Sequence, residues 1–214
     1  MNILVIGANG QIGKKIVDKI HSNTPHDAIA MVREASQQDQ FERRGIKTVL
    51  GDLENDFSHA YKGNNAVIFT AGSGGHTGQD KTKLVDKQGA MAAVDNAVKH
   101  KFIRFIMVSA FGADFNPKEW PENMAHYYSA KSAADDYLMQ TNLNYTIIKP
   151  GALTNDAPTN KIDYGERTDE RSGSIPRADV AEVVVKSIDA EKTYRKSLEL
   201  LSGPNNVVEA IEKI

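Results

Sequence analysis

Cysteine is absent from the 214 residues of this chain. Its absence excludes disulfide bonds, thiolate catalysis and cysteine-ligated zinc, and it is compatible with a reducing compartment. The sequence also lacks an apolar run of the about 20 residues that a membrane-spanning helix needs. No basic leader or small-residue cleavage site precedes the first apolar segment. We therefore expect a cytoplasmic protein that has no membrane partner.

Neither sign of charge is in excess, because 26 lysine and arginine residues face 28 aspartate and glutamate residues, for a formal net charge of −2. The cations are scattered along the sequence, whereas nonspecific nucleic-acid binding needs a basic stripe. A hydrophobic fraction of 40% suits one α/β domain with a sizeable core. We expect a small-molecule substrate as the partner and no nucleic acid.

Short β-branched runs alternate with longer amphipathic segments over the first 150 residues, which is the rhythm of repeated strand–helix units. Two of these runs, 3–6 and 105–108, are continuously apolar, as expected for strands that are covered on both faces. The pattern predicts an α/β fold with a doubly wound parallel sheet and helices on both faces. The predicted strands are 2–6, 28–32, 47–50, 66–70, 102–109 and 145–148, and the predicted helices are 11–21, 38–44, 81–100 and 122–141.

After Pro150 the pattern becomes polar and irregular over residues 155–173, and it ends with a predicted helix at 177–190 and a predicted strand at 197–201. This tail is too short for a separate domain. We therefore expect residues 1–214 to form a single domain with a small substrate-side extension at about 151–175. Open α/β sheets bind their ligands at the carboxyl edge of the strands, where this extension would lie.

The first strand leads into Gly7-Ala8-Asn9-Gly10-Gln11-Ile12-Gly13 and then into a helical pattern. In this context Gly7 permits a tight turn, Gly10 lets the backbone approach a pyrophosphate, and Gly13 lets the helix pack on the strand. Free N–H groups at the start of the helix would face the anion. The spacing predicts a Rossmann-type nucleotide site in which Asn9, Gln11 and Ile12 also contact the cofactor.

The end of the second strand distinguishes the two nicotinamide cofactors, because an acidic residue there binds the ribose hydroxyls while a cation accommodates a 2′-phosphate. The strand ends at Arg33, whose guanidinium matches a phosphate. Lys14 could assist from the first helical turn, and Glu34 could instead point to the ribose. The sequence therefore favours NADP(H) over NAD(H), with NAD(H) as the open alternative.

Tyr127 and Lys131 lie four residues apart in a predicted helix and so share one face. A lysine beside a phenol favours the phenolate and lowers its pKa towards the range of a general acid/base. Ser109 ends the fifth predicted strand at the same carboxyl edge, where it could hold a substrate oxygen or orient the tyrosine. The alternative is a chance pair on a solvated helix face.

Together these segments resemble the short-chain dehydrogenase/reductase superfamily, specifically its atypical NAD(P)-binding branch that includes NmrA-like and flavin-reductase-like proteins. The resemblance runs nearly end to end. Besides the glycine turn and the tyrosine–lysine pair it includes Gly51-Asp52-Leu53, Thr70-Ala71-Gly72, Val108-Ser109-Ala110, Lys149-Pro150-Gly151 and Ile175-Pro176-Arg177-Ala178-Asp179-Val180-Ala181.

The resemblance implies a role for each of these segments. Asp52, with Leu53 beside it, would bind the adenine, Ala71 and Gly72 would pack against the adenosine ribose, and Pro150 would border the nicotinamide. Ser109, Tyr127 and Lys131 would be the catalytic residues, with Lys131 also holding the nicotinamide ribose. The glycine spacing differs from the G-x-x-x-G-x-G of ordinary short-chain reductases, and the short extension makes nucleotide sugars poorer substrate candidates.

Three functions remain open at this point. The first is an NADPH-dependent oxidoreductase that reduces a small carbonyl, quinone-like or flavin-like acceptor, with Tyr127 as acid/base. The second is an NADP(H)-binding redox sensor without turnover, and the third is an NAD(P)-dependent epimerase or isomerase. The oligomeric state also stays open between monomer and homodimer.

Two histidines and an acidic pair are interpreted as having no role in catalysis. His76, in the glycine-rich loop 72–78, and His126 are both more typical of exposed residues than of catalysts. Asp135 and Asp136 are interpreted as a solvated helix face. We expect no metal site.

Overall fold

A computed structural model describes residues 1–74, 78–168 and 172–214. Strands and helices alternate from the first strand to the sixth, as the sequence predicts. The strands are β1 Asn2–Ile6, β2 Asp27–Val32, β3 Lys47–Leu50, β4 Ala66–Phe69, β5 Arg104–Val108, β6 Tyr145–Pro150, β7 Ala152–Thr154, β8 Lys161–Gly165, β9 Ser174–Pro176, β10 Lys196–Ser202 and β11 Asn205–Asn206. The α-helices are α1 Gln11–Asn23, α2 Ala35–Glu42, α3 Gln79–Lys81, α4 Ala90–Lys99, α5 Ala125–Met139, α6 Arg177–Lys186 and α7 Val207–Glu212, and a π-helix spans Thr82–Gly89 between α3 and α4.

The main sheet has nine strands in the order β11-β8-β10-β6-β5-β4-β1-β2-β3. The seven strands from β10 to β3 are all parallel to one another. The order reverses between β1 and β4, which is the switch point where open α/β sheets bind ligands. The predicted doubly wound parallel sheet of Rossmann type is thus confirmed.

Both faces of the sheet are buried, which explains why its central strands are apolar throughout. In β1, Ile3 and Val5 pack into a cluster that contains residues of α1 and α6, while Leu4 and Ile6 pack into a second cluster with residues of α4 and α5. The alternation of side chains along the strand sends neighbouring residues to opposite faces. The carboxyl edge of the sheet is consequently held between two packed helical layers.

The tail after Pro150 is more regular than its sequence indicates. β8 joins the main sheet antiparallel to β10, and β11 pairs with β8 at the edge. β7 and β9 form a separate two-stranded sheet. Asp179 orders the connecting loop, because its carboxylate accepts hydrogen bonds from the Thr159 amide and hydroxyl and from the Asn160 amide. The sequence did not predict β7, β8, β9 or β11, because their residues pair with strands far along the chain and have no regular local pattern.

Among the helices, the predicted segment at 81–100 contains the π-helix, and a 3₁₀ turn at Glu122–Met124 precedes α5. π-helical segments are rare and often lie at functional sites. The carboxy-terminal helix α7 has no counterpart in the sequence-based expectations. Within the described ranges, no helix is both long and apolar enough to cross a membrane.

Candidate cofactor and catalytic site

Two of the three glycines in the turn after β1 are required by close packing of the backbone. Gly7 has a φ of +85°, and a Cβ there would lie 2.6 Å from the Ala71 nitrogen. A Cβ on Gly13 would lie 2.1 Å from the Gly7 carbonyl oxygen. The turn, the start of α1 and the end of β4 can therefore approach one another only with glycine at these positions.

Gly10 is different, because little in the fold itself requires a glycine there. It is exposed, its φ of −70° suits any residue, and a Cβ would meet only the Gly7 carbonyl oxygen, at 3.1 Å. Gly10 is the N-cap of α1, which has neither a side-chain cap nor an acidic residue in its first turn. Among the residues that the structure describes, none accepts from the first N–H groups of this helix, which leaves them for an external acceptor such as a phosphate group.

The residues between these glycines have distinct environments. Asn9 is half-buried, and its side-chain oxygen accepts a hydrogen bond from Gln40 Nε2 at 2.7 Å, which ties the turn to α2. Gln11 is exposed, whereas Ile12 is buried in the core. A contact of Ile12 with a cofactor could therefore come only from its backbone.

Arg33 lies exposed immediately after β2, next to the strand that carries the glycine turn. In the part of the chain that the structure describes, its guanidinium has no hydrogen-bond or ion-pair partner. Its neighbour Glu34 caps α2, accepting from the Gln37 amide while the Gln37 side chain bonds back to the backbone of Glu34. The carboxylate is thus engaged locally, while the guanidinium is available to a phosphate.

The adenine and ribose candidates lie on both sides of the switch point. Ala71 and Gly72 follow β4, next to the Gly7 turn, and the Thr70 amide donates to the Ile6 carbonyl. Asp52 follows β3, and its two carboxylate oxygens accept from the Glu54 amide and the Asn55 side chain. Leu53 is half-buried and packs against the core. The structure brings all four of these candidates to the carboxyl edge.

The catalytic candidates lie where the end of β5 packs against α5, with Tyr127 in the first turn of that helix and Lys131 one turn further along. Lys131 is 3% exposed, and its Nζ donates to the carbonyl of Val108, the residue before Ser109, at 3.1 Å. The Ser109 hydroxyl donates at 2.6 Å to Asp135, one turn further along α5. Tyr127, Lys131 and Asp135 are spaced by four residues, so they form one stripe on the helix.

The electrostatic effect on Tyr127 is opposite to the one that its spacing from Lys131 predicts. Burial raises the pKa of the Tyr127 phenol above its ordinary value, and the charge of Asp86, the neighbouring Tyr128 and the charge of Asp135 raise it further. The Lys131 ammonium is directed to the Val108 carbonyl and lies 4.0 Å from Asp86 Oδ1. Without cofactor, the lowered phenol pKa is therefore a wrong expectation, and the hydroxyl stays protonated.

Two buried carboxylates at this site escaped the sequence reasoning. Asp86 lies in the π-helix, is 1% exposed, and accepts a hydrogen bond from the Ser73 amide. Asp135 is 5% exposed, so the interpretation of the pair Asp135–Asp136 as a solvated face is wrong for Asp135 and right only for the exposed Asp136. The four-residue spacing from Lys131 was the signal in the sequence that could have identified Asp135.

Pro150 borders the site at the end of β6, where its carbonyl accepts from the Phe111 amide. The residue before it, Lys149, is buried and pairs with Asp114 at 2.9 Å. Asp114 also pairs with Arg167, which reaches Glu199 of β10 at 2.6 Å. This chain of ion pairs fixes the edge at which the nicotinamide is expected.

Aromatic rings flank the stripe Tyr127–Lys131–Asp135 on the side of the loop after β5. Trp120 stacks on Tyr128 with ring centroids 5.9 Å apart, and its indole N–H donates to the Gly112 carbonyl. Tyr128 in turn meets Tyr127 edge-on at 5.6 Å. These partly exposed rings provide a surface suited to a planar ligand.

The two histidines that the sequence analysis set aside are not assigned to the site. His76 lies outside the described residues, and His126 is half-buried at the start of α5. Across the described ranges, no group of three or more histidines and carboxylates is placed to hold a metal ion.

The fold and the glycine turn define a dinucleotide-binding protein of Rossmann type. More particularly, the chain belongs to the NAD(P)H-binding family, whose model matches residues 7–191. It is 42% identical over 217 residues to an uncharacterized sugar epimerase of Bacillus subtilis, and the match covers both chains completely. The resemblance to the atypical short-chain dehydrogenase/reductase branch is confirmed.

Two solved structures are similar over the whole chain. One, from Bacillus halodurans and assigned as an NAD-dependent epimerase/dehydratase, is 40% identical with a TM-score of 0.95, and the match covers 100% of both chains. The other is an oxidoreductase from Lactococcus lactis, 31% identical with a TM-score of 0.89, where the match covers 100% of this chain and 96% of that one.

Proposed function

We propose that this protein is an NADPH-dependent oxidoreductase that reduces a small, planar carbonyl, quinone-like or flavin-like acceptor. The observation that carries the proposal is the stripe Tyr127–Lys131–Asp135 on α5, which packs beside Ser109 at the edge where the glycine turn opens. A bound nicotinamide would supply the hydride for this reaction. Gly10, the first turn of α1 and Arg33 would hold the cofactor by its phosphates.

In the proposed reaction Tyr127 is the proton donor. Its raised pKa keeps the phenol protonated in the neutral range, which suits a reduction, where the substrate oxygen gains a proton. Ser109 would hold that oxygen from the end of β5. Lys131 would reach the nicotinamide ribose once a cofactor competes with the hydrogen bond from Lys131 to the Val108 carbonyl. The positive charge of Lys131 would offset the negative charge of Asp86.

The choice of a planar acceptor rests on the rings of Trp120 and Tyr128 beside the stripe. Two solved structures that share the fold carry names that agree with this choice. One is an anaerobilin reductase of Escherichia coli at 21% identity, and the other, assigned as an NADH-flavin reductase of Streptococcus pneumoniae, is 22% identical; their TM-scores are 0.81 and 0.75. At such identities the likeness shows the fold alone, and the names suggest which acceptors to test.

The proposal is tested by following NADPH absorbance with a quinone, a flavin and a simple ketone as acceptors. Oxidation of NADPH that depends on both enzyme and acceptor supports the reductase. Tight NADPH binding with no oxidation would replace it with the sensor. The second candidate function is an NAD(P)-dependent epimerase, which the relatives assigned as epimerases favour. It would be supported by conversion of a sugar substrate without net oxidation of the cofactor.

Arg33→Ala should weaken NADPH binding about tenfold and leave NADH binding unchanged, because only the 2′-phosphate would lose a partner. Titration of the protein with each nucleotide, followed by nicotinamide fluorescence, measures both dissociation constants. Arg43→Ala is the matched control, since this exposed arginine pairs with Asp39 at the end of α2. Equal loss for both nucleotides in Arg33→Ala would place the contact away from the 2′-phosphate.

Gly10→Ala should weaken NADPH binding about 30-fold while lowering the free energy of unfolding by about 1 kcal/mol or less. The methyl group would point into the path of a pyrophosphate, whereas the fold itself meets it only at the Gly7 carbonyl oxygen. Fluorescence titration and urea unfolding measure the two effects. Gly63→Ala is the control for loss of a glycine away from the site. A Cβ there would have no neighbour within 4 Å, so the substitution strains only the backbone, whose φ is +80°. Unchanged NADPH binding in Gly10→Ala would exclude close approach of the cofactor to this turn.

A further inference from the structure

Lys131 lies between two buried carboxylates, and each has one oxygen without a hydrogen-bond partner in the described part of the chain. These oxygens are Asp86 Oδ1 and Asp135 Oδ1. One lysine cannot neutralise two carboxylates, and an unpaired buried carboxylate is costly. Burial of Asp135 with one oxygen unpartnered among the described residues therefore favours the protonated form of this carboxyl group.

Of the two carboxylates, Asp135 is the one that is hydrogen-bonded to Ser109 at the carboxyl edge of the sheet. Its Oδ2 accepts the Ser109 hydroxyl at 2.6 Å, and both groups are buried. A serine hydroxyl has a single proton. While Asp135 is ionised, Ser109 donates inward and offers only lone pairs to the site. Once Asp135 is protonated, it can donate to Ser109, whose own proton is then free for a substrate oxygen.

We propose that Asp135 is a positioning residue that sets the direction of the Ser109 hydrogen bond, so that Ser109 donates to the substrate oxygen only while Asp135 is protonated. This inference rests on the proposed reductase function. Tyr127 still supplies the proton that the substrate oxygen gains. Ser109 adds a second hydrogen-bond donor to that oxygen as negative charge develops on it, which is the form of assistance that accelerates carbonyl reactions.

The surroundings of Asp135 place its titration within the working range. Burial raises its pKa to about 7, although the Ser109 hydroxyl and the charges of Lys131 on α5 and Lys149 on β6 act to lower it. The charge of Asp136 raises it slightly, and Asp86 faces Lys131 from the π-helix. Because the pKa is raised, the protonated form is present below about pH 7 and is lost as the pH rises through that value.

The proposal predicts that kcat/KM for acceptor reduction falls about tenfold between about pH 6 and about pH 8.5, with a midpoint near 7. Asp135→Asn should remove this inflection, because an amide cannot titrate. Ser109→Ala should give a low rate without the inflection. Asp136→Asn is the matched control, one residue away and exposed; it should keep the inflection at a slightly lower pH.

A second measurement needs no turnover. Carboxyl carbon NMR of the cofactor-free protein should show one group that titrates near pH 7 and is missing in Asp135→Asn. The outcomes separate the two proposals. No oxidation of NADPH with any acceptor overturns the reductase and this inference with it. Two outcomes overturn this inference alone. One is NADPH oxidation whose pH profile is the same in Asp135→Asn as in the unchanged protein, and the other is an NMR titration that gives Asp135 a pKa below about 5.

Discussion

Replacing Tyr127 by phenylalanine should lower kcat for acceptor reduction by about 100- to 1000-fold and leave the Kd for NADPH within about twofold. The substitution removes only the hydroxyl, so the ring keeps its edge-on contact with Tyr128. Burial holds the pKa of this phenol above its ordinary value, which makes it a donor throughout the neutral range. Its loss leaves no proton source of comparable position on the stripe.

The control for this experiment is the neighbouring residue. Tyr128→Phe changes the same chemical group, and Tyr128, whose ring stacks on Trp120 and meets Tyr127 edge-on, is not part of the stripe Tyr127–Lys131–Asp135. We expect kcat to change less than about threefold in that variant. Steady-state oxidation of NADPH and a parallel fluorescence titration separate an effect on the reaction from one on binding. An unchanged kcat in Tyr127→Phe would remove Tyr127 from the role of proton donor.

The sequence identified the fold and the edge of the sheet that carries the site, because both depend on local patterns. The apolar period of β1 and β5, the spacing of Gly7 and Gly13, and the alternation of strands with helices are all features of neighbouring residues. Parallel strands then bring their carboxyl ends together without further information. Ser109, Ala71 and Pro150 consequently reach one edge although they are far apart in the chain.

The sequence could not identify how buried charges are paired. The sequence predicts Lys131 as the partner of Tyr127, but nothing in the sequence indicates that Asp86 and Asp135 are buried around this lysine; α5 buries Lys131 and Asp135 beside Ala130 and Ala134. Whether such a group faces water or the sheet depends on the packing of α5 against the π-helix, which no local period records. The direction of the pKa shift of Tyr127 was wrong for the same reason: burial and Asp86 outweigh a lysine that bonds elsewhere.

Arg104 is a further buried charge that the sequence did not reveal, because it begins a strand that is otherwise apolar. It is 2% exposed, and burial lowers its pKa to about 10, so it stays a cation at neutral pH. Its guanidinium donates to the carbonyls of Asn144, Ser187 and Ile188 at 2.7 to 3.1 Å. It also donates to the hydroxyls of Thr146 and Thr193, and it lies 4.5 Å from the centre of the Tyr194 ring.

These contacts join four parts of the chain: the start of β5, the entry to β6, the residues that end α6, and the 3₁₀ turn at Glu191–Thr193. Removing the guanidinium would take from the Ile188 carbonyl its donor, while the Asn144 carbonyl keeps the Phe105 amide and the Ser187 carbonyl keeps the Ala190 amide at 3.4 Å. An unsatisfied buried group costs about 1 to 3 kcal/mol, and each further lost hydrogen bond costs about 0.5 to 1.5 kcal/mol. An apolar replacement regains part of this because the cost of burying the charge disappears. The loss of the hydrogen bonds dominates, since a flexible apolar chain cannot donate to carbonyls and threonine hydroxyls that converge from separate segments.

Arg104→Met should therefore lower the free energy of unfolding by about 2 to 4 kcal/mol. Urea unfolding measures this as a lower midpoint with an unchanged slope. Arg43→Met is the control, because Arg43 is an exposed arginine whose pair with Asp39 spans 3.7 Å; we expect a change below about 0.5 kcal/mol there. The folded fraction of Arg104→Met should still bind NADPH, since Arg104 lies at the end of β5 opposite Ser109. A loss below about 1 kcal/mol would mean that the surrounding carbonyls find other donors, and that the network adds little to the stability of the sheet.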